Sequence, residues 1–265
     1  MDTLQSVIIA IVEGITEFLP VSSTAHMRIT NPLIGVQPDA FVDMFEIVIQ
    51  LAAILSVVTI YWKKFFDFSK LTFYFKLIVA VIPALIFGAL LKKHIDSALS
   101  NLTFIAWVMI GGGIVLLFVD KLFKSNVVDD DDKISYPKAF IIGCFQVLSI
   151  LLPGLSRSAA TIVGGMSQKL TRRLAAEFSF FLAVPTMFAA SVKSFWDVYK
   201  DHKEVLVKEN FTTLGIGAVI AYVVALLAIK FFIGYIQKHG FKVFGWYRIA
   251  LGIVVLVLLS RGIIS

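Results

Sequence analysis

Long apolar runs alternate with short polar segments along the chain. Six of these runs approach the length of a membrane span, which needs roughly 20 mostly apolar residues. They cover residues 41–62, 71–91, 103–123, 174–192, 211–236 and 243–260. Two further apolar stretches, at the N-terminus and at residues 139–152, are shorter and are interrupted by Pro, Gly and Ser. The pattern predicts six full membrane spans and two broken helical segments.

Composition supports lipid as the solvent of this chain. Hydrophobic residues make up 58% of the sequence and charged residues 16%, whereas soluble domains carry about a quarter charged residues. The start lacks a signal-peptide pattern, because Asp2 replaces a basic region and Glu13 and Glu17 interrupt the apolar one. The single cysteine, Cys144, excludes an intrachain disulfide and a thiolate metal cluster. We therefore expect an all-α polytopic membrane protein whose partners are membrane lipids rather than nucleic acid.

The two halves of the chain share a pattern. Leu-Pro, a short gap and then Ser-x-[Ser/Thr]-Ala occur at residues 19–25 and again at residues 152–159. A glutamate followed by Leu-Ala at the fifth and sixth positions then recurs, beginning at Glu46 and Glu177. These matches predict two repeats, 1–124 and 134–265, joined by an acidic linker at 125–133. Because each repeat holds three spans, an odd number, the second enters the membrane inverted, and the broken segments meet near the midplane.

Basic residues in the loops predict the orientation of the six-span arrangement. One side carries Lys63, Lys64, Lys70, Lys121, Lys124, Lys133, Lys138, Lys169, Arg172, Arg173, Lys238 and Lys242. The other side carries Arg28, Lys92, Lys93, Lys193, Lys200, Lys203, Lys208 and Arg261. The first set is larger, so we place that side in the cytoplasm. Both termini then face outward.

Polar residues concentrate at the first broken segment, where an ionisable group in a bilayer is costly. Glu13 and Glu17 are four residues apart and share a helix face. Pro20 ends that helix, and Ser22 or Ser23 can cap the next one. The new helix starts with free N–H groups and a positive dipole end, which together favour an anion. Two more residues of this segment are Thr24 and His26, and His26 shares a helix face with Ser23.

The second broken segment adds a cation to this set. After Pro153-Gly154, Ser156 can cap a new helix, Arg157 lies in its first turn, and Thr161 shares the face of Arg157. If the two breaks meet, two helix N-termini, a guanidinium and several hydroxyls surround one site, which suits a phosphate. The two carboxylates suit either a general base or one or two Mg²⁺ or Ca²⁺ ions.

The residues at both breaks resemble a known family. The segment Glu13-Gly-Ile-Thr-Glu-Phe-Leu-Pro-Val-Ser-Ser-Thr-Ala-His26 is similar to the first signature of the undecaprenyl-diphosphate phosphatase family, also known as the bacitracin resistance protein family. Pro153-Gly-Leu-Ser-Arg-Ser158 resembles its second signature, and the likeness runs the length of the chain. The sequence departs from the family pattern at Ala25 and Ala159, where glycine is expected, which affects how closely a helix or phosphate can approach.

The resemblance implies hydrolysis of undecaprenyl diphosphate to undecaprenyl phosphate, which recycles the carrier of cell-wall sugars in the bacterial inner membrane, with the active site open to the periplasmic side. It implies Ser23 as nucleophile or as the group that positions the attacking group, with Ser22 and water as alternatives. Carried over by motif, Glu13, Glu17 and His26 are its acid, base or metal partners, and Arg157 clamps the phosphate. Supporting hydroxyls are Ser22, Thr24, Ser156, Ser158 and Thr161. A lipid-phosphate transporter that uses the same anion site is the alternative function, and a homodimer stays open.

Overall fold

The computed structural model describes all residues except Phe68, Lys70 and Ser265, together with the side chains of Lys92, Lys93 and Asp96. Of the basic residues used to predict the orientation, Lys70 and the side chains of Lys92 and Lys93 therefore lie outside the described part. The helices are α1 Thr3–Thr16, α2 Ser23–Leu33, α3 Ala40–Ile60, α4 Trp62–Phe65, α5 Leu71–Leu90, α6 Lys92–Leu99, α7 Leu102–Leu122, α8 Tyr136–Leu151, α9 Arg157–Ser167, α10 Arg172–Asp201, α11 Lys208–His239 and α12 Lys242–Ser260.

Six of these helices are long and apolar enough to cross a membrane, namely α3, α5, α7, α10, α11 and α12, so the predicted spans are confirmed. The helices α10 and α11 have 30 and 32 residues and extend past the apolar runs at 174–192 and 211–236. At about 1.5 Å per residue each exceeds the roughly 30 Å hydrocarbon core. Their polar ends, which hydropathy alone reads as loops, continue the helices beyond it.

Both predicted helix breaks are present. The helix α1 ends at Thr16 before Pro20, and α8 ends at Leu151 before Pro153. The next helix is capped in each case by a serine, Ser22 for α2 and Ser156 for α9. Each serine has a positive φ, 73° and 75°, a backbone region that non-glycine residues rarely adopt. Two strained serines at matching places indicate that the breaks are held by their surroundings.

Close helix packing supports the two broken segments. The helix α1 packs on α11, and α8 packs on α5. A Cβ on Gly14 would lie 2.8 Å from the carbonyl oxygen of Ala221, and a Cβ on Gly143 would overlap the carbonyl oxygen of Ala80. Only glycine allows these helix backbones to approach so closely. The pairs α7–α12, α3–α11 and α3–α10 complete the bundle around the breaks.

The linker at 125–133 lies against the end of α9. The backbone N–H groups of residues 127 and 128 both donate to the carbonyl of Lys169, at 3.1 and 3.0 Å. Asp129 accepts from the Thr171 hydroxyl at 2.5 Å and from Arg173 at 2.8 Å, and these hydrogen bonds hold the pKa of Asp129 below its ordinary value. The acidic run is thus partly engaged by neighbouring side chains. The division into repeats 1–124 and 134–265 stays a prediction.

Candidate active site

A single carboxylate joins the two breaks. The Ser23 hydroxyl donates to Oε2 of Glu17 at 2.6 Å, and Nη2 of Arg157 donates to Oε1 of the same carboxylate at 2.6 Å. Ser23 and Arg157 are the first residues of α2 and α9, and Glu17 follows the last residue of α1. All three side chains are largely buried. A hydroxyl, a carboxylate and a guanidinium therefore meet where two helix N-termini supply further N–H groups.

These side chains lie at one end of a cavity of about 510 Å³. The polar end is lined by Glu17, Ser22, Ser23, Thr24, Ser156 and Arg157. The walls from α5 and α10 are mostly apolar, with Ala84, Leu85, Gly88, Ala89, Met187, Ala189 and Ala190, and they also include the polar Thr186 and Lys193. Gln50, Gln146, Ser149 and Ile150 complete the lining. Ala25 and Ala159 are buried and do not line the cavity, so their methyl groups take no space from an occupant.

Glu13 lies one turn before Glu17 and is completely buried. Within the described part of the chain, no N–H or O–H group donates to either of its carboxylate oxygens. The Glu17 carboxylate lies near enough for the two negative charges to repel each other. Arg157 compensates the charge of Glu17, so the buried carboxylate of Glu13 still needs either a proton or a second cation.

The two glutamates of the repeated pattern occupy different surroundings, and neither lines the cavity. Glu46 is buried, accepts from Nδ2 of Asn31 at 2.7 Å, and is near enough to Glu13 for their charges to repel. Glu177 pairs with Arg173 at 3.4 Å. Glu46 also pairs with Arg28 at 3.7 Å, so both glutamates form ion pairs, and Glu46 is the one that lies near Glu13.

Ser158 and Thr161 hold the second break rather than line the cavity. The Ser158 hydroxyl donates to the carbonyl of Leu19 at 2.9 Å and so links the two breaks directly. The Thr161 hydroxyl donates to the carbonyl of Arg157 at 2.8 Å and lies 2.5 Å from the Ser179 hydroxyl. The structure therefore brings Ser22, Thr24 and Ser156 to the cavity and gives these two residues structural contacts.

The ring nitrogens of His26, which was expected to share a helix face with Ser23, contact two other groups. Nδ1 donates to the carbonyl of Ser22 at 2.7 Å, because a carbonyl can only accept. Nε2 lies 2.6 Å from the hydroxyl of Tyr247 on α12, and the two rings are parallel. Both ring nitrogens are thus engaged, and the group in contact with Ser23 is Glu17. The i, i+3 spacing placed His26 near the serine but did not identify its partners.

We expect His26→Gln to impair phosphate release less than Glu17→Gln does. Glu17 contacts both Ser23 and Arg157, whereas His26 donates to the carbonyl of Ser22 and so stabilises the first turn of α2. Loss of a general base costs about 10²–10⁴-fold, and we expect about tenfold or less for His26→Gln, the scale of one lost hydrogen bond. Steady-state rates of the two variants check this order, with exposed His202→Gln as the control. An equal or larger loss of activity in His26→Gln would assign the role of general base to His26 instead of Glu17.

Sequence reasoning missed two residues of α12. Tyr247 contacts His26, and the completely buried Arg248 contacts backbone carbonyls at both breaks. Arg248 could have been found, because a charged residue inside an apolar run is a functional candidate by default.

A buried serine–carboxylate pair, an arginine and two helix N-termini at the polar end of an apolar cavity define a membrane protein with a site for a phosphate-bearing lipid. The family model described as bacitracin resistance protein BacA matches residues 6–254. Three relatives are named undecaprenyl-diphosphatase. The one from Flavobacterium psychrophilum is 53% identical to this chain, the one from Porphyromonas gingivalis 48% and the one from Bdellovibrio bacteriovorus 42%. These alignments cover 97%, 99% and 99% of this chain and 96%, 99% and 98% of the relatives. The chain belongs to the bacitracin resistance protein BacA family.

Proposed function

We propose that this protein hydrolyses undecaprenyl diphosphate to undecaprenyl phosphate and inorganic phosphate. The observation that carries the proposal is the Glu17 carboxylate, which contacts both Ser23 and Arg157 at the polar end of the cavity. The relatives in three bacteria bear the name of this activity. By recycling the lipid carrier of cell-wall sugars, the reaction would counter bacitracin.

The cavity matches the two parts of such a substrate. The diphosphate would occupy the end where Arg157 and the first turns of α2 and α9 offer N–H donors. The first prenyl units would lie against the apolar walls from α5 and α10. The rest of the chain would extend into the surrounding lipid, since 510 Å³ is too small for a long polyprenyl chain.

The proposed reaction begins with proton transfer from the Ser23 hydroxyl to Glu17. The hydroxyl already donates a hydrogen bond to this carboxylate, across 2.6 Å. The serine oxygen forms a bond to the terminal phosphorus, the bond from that phosphorus to the bridging oxygen breaks, and undecaprenyl phosphate leaves. A water oxygen then forms a bond to the same phosphorus, the bond from that phosphorus to the Ser23 oxygen breaks, and the serine oxygen takes back the proton from Glu17 as inorganic phosphate leaves. In the rival scheme, water attacks the phosphorus directly and Ser23 orients it. In both schemes Arg157 and the helix N-termini stabilise the charge that develops on the phosphoryl oxygens.

A divalent cation, Mg²⁺ or Ca²⁺, fits the acidic part of the site. The Glu13 carboxylate has two buried oxygens that lack donors within the described residues, and Glu17 lies beside it. Carboxylate oxygens are the ligands that these hard cations take. When bound there, the cation would neutralise phosphate charge. Glu13 and Glu17 are the side chains that would hold it.

The protein is a multi-pass membrane protein. We place it in the bacterial inner membrane with the active site open to the periplasmic side. The cavity is lined by the last two turns of α5 and by Lys193 of α10, which belong to the side with fewer basic loop residues.

Transport of a lipid phosphate is the weaker alternative. A transporter would use Arg157 and the helix N-termini to bind its cargo, as broken-helix carriers do. It has no need for a serine hydroxyl that donates directly to a buried carboxylate. The names of the relatives also refer to hydrolysis rather than transport.

The direct test is phosphate release from undecaprenyl diphosphate by the purified protein in detergent, with and without a chelator. We expect release that stops with the chelator and returns when Mg²⁺ or Ca²⁺ is added. Absence of release from monodisperse protein at every cation concentration would contradict the proposed activity. Phosphate release that the chelator does not change would support the proposed activity and contradict the proposed requirement for a divalent cation.

The role of Glu13 is tested by a metal titration of Glu13→Gln. If Glu13 holds a cation, the variant needs at least about tenfold more divalent ion for half-maximal activity, since loss of even an outer-shell partner of a metal ligand costs about 10–100-fold in affinity. If it only shares a proton with Glu17, the maximal rate falls at saturating metal instead. The exposed Glu209→Gln is the matched control. Wild-type behaviour of Glu13→Gln would exclude both roles.

A further inference from the structure

Arg248 of α12 is a buried cation whose partners are all carbonyls. It is 0% exposed, and within the described part of the chain it forms no ion pair with a carboxylate. Its guanidinium donates to five backbone oxygens instead. They belong to Pro20 at 3.1 Å, Leu155 at 2.7 Å, Gly154 at 2.8 Å, Met109 at 3.3 Å and Val108 at 3.5 Å.

Three of these carbonyls belong to the helix breaks. Pro20 lies between α1 and α2, and Gly154 and Leu155 lie between α8 and α9. Carbonyls at an interrupted helix lack intrahelical donors, and leaving them buried and unpaired is costly. Arg is the one side chain with five N–H donors in a rigid fork, so it can serve both breaks at once.

The neighbouring helix leaves room for this guanidinium. A Cβ on Gly112 of α7 would overlap Nη2 of Arg248. The guanidinium of Arg248 therefore packs against three neighbours, α7 and the two breaks. A bulkier residue at position 112 would displace the guanidinium without changing its chemistry.

We propose that Arg248 is a positioning residue that sets the distance between the two breaks and thereby aligns Ser23, Glu17 and Arg157 for the reaction. Pro20 stands between Glu17 and Ser23 in the chain, and Leu155 stands two residues before Arg157. A shift of either carbonyl therefore moves a reacting group. The inference rests on the proposed phosphatase function, and it assigns Arg248 no contact with the substrate.

The expected signature is a loss of rate with little loss of binding. The apolar walls from α5 and α10 do not include Arg248, so contacts to the prenyl chain persist in its variants. Misplacement of a reacting group by about 1 Å can cost about 10²-fold. We expect Arg248→Lys to lower kcat by about 10- to 100-fold while KM changes less than about threefold. Gly112→Ala should show the same pattern through the displaced guanidinium.

A double-mutant cycle separates positioning from general structural support. If Arg248 acts by aligning Arg157, then Arg248→Lys should cost less than about threefold in an Arg157→Lys background, since the aligned group has already been altered. If the two substitutions acted independently, the fold-loss in rate of the double variant would equal the product of the two single losses. Rates are divided by the amount of monodisperse protein on size-exclusion chromatography, and Arg261→Lys, exposed at the end of the same helix, is the control.

The outcomes distinguish this inference from the function on which it rests. Wild-type protein that releases no phosphate contradicts the function itself. Active wild type with kcat of Arg248→Lys and Gly112→Ala within twofold of normal overturns the positioning role alone. Full multiplication in the cycle, a change confined to KM, or a loss equal to the loss of monodisperse protein would overturn it as well.

Discussion

Replacing Arg157 with alanine is expected to lower phosphate release by about 10²–10³-fold or more while the protein still inserts and folds. Two cations line the cavity, Arg157 and Lys193, and Arg157 is the one that pairs with Glu17 beside Ser23. Loss of one preorganised donor to a developing negative charge costs about that much. The substitution also leaves Glu17 without its ion-pair partner, so the base is misplaced as well as the phosphate.

Arg157→Lys should recover little of this loss. An ammonium is a point charge and cannot contact Glu17 and a phosphate with the planar fork of a guanidinium. The measurement is kcat/KM for both variants, with Arg261→Ala as a control for removal of an arginine at the protein surface. Turnover of Arg157→Ala within tenfold of the wild type would remove the phosphate clamp from the proposed mechanism.

The fold could be predicted to the extent that hydropathy and proline determine it. The six spans follow from run length, and the breaks follow from Pro20 and from Pro153-Gly154. The ends of α10 and α11 could not be predicted, because their polar turns continue a helix that starts inside the membrane. The short helices α4 and α6 carry too few apolar residues to stand out from loops.

Site membership was easier to predict than site contacts. The motif residues brought Glu17, Ser23 and Arg157 into one region, but spacing on a helix could not show that one carboxylate contacts both other groups. It also could not separate Glu17, which lines the cavity, from Glu13, which lies buried one turn away. Contacts such as that of Tyr247 with His26 join residues more than two hundred positions apart, and no local pattern records them.

The two strained serines show why the site lies at the breaks. A positive φ at Ser22 and Ser156 turns the chain sharply, so that the next residue becomes the first of a helix and contacts Glu17. Those next residues are Ser23 and Arg157, the hydroxyl and the guanidinium that share Glu17. The backbone strain is compensated by the capping bonds to Ala25 and Ala159 and by the contacts of Ser158. The same local conformation thus places a hydroxyl at the start of α2 and a guanidinium at the start of α9.

Ser23→Ala is expected to lose roughly 10³-fold or more of the phosphate-release activity, the scale seen when an essential nucleophile is removed. The hydroxyl is the group that Glu17 contacts at 2.6 Å, and it lies at the first turn of α2, where backbone N–H groups can hold the phosphate. Ser22 is poorly placed for attack, because its hydroxyl accepts from Ala25 N as the helix cap. The exposed Ser100→Ala is the matched control and should retain full activity.

Loss of activity in Ser23→Ala does not distinguish covalent attack from attack by water, because both schemes need the hydroxyl. A rapid quench with labelled substrate does distinguish them, when it is followed by mass spectrometry of the peptide that contains residues 16–28. We expect a phosphorylated Ser23 that forms and decays at the catalytic rate, since Glu17 is already placed to take its proton. Glu17→Gln should slow its formation by about 10²–10⁴-fold. No phosphopeptide at any time point, from enzyme shown to be turning over, would assign the attack to water. Full activity of Ser23→Ala would contradict both schemes and move the chemistry to another group at the polar end of the cavity.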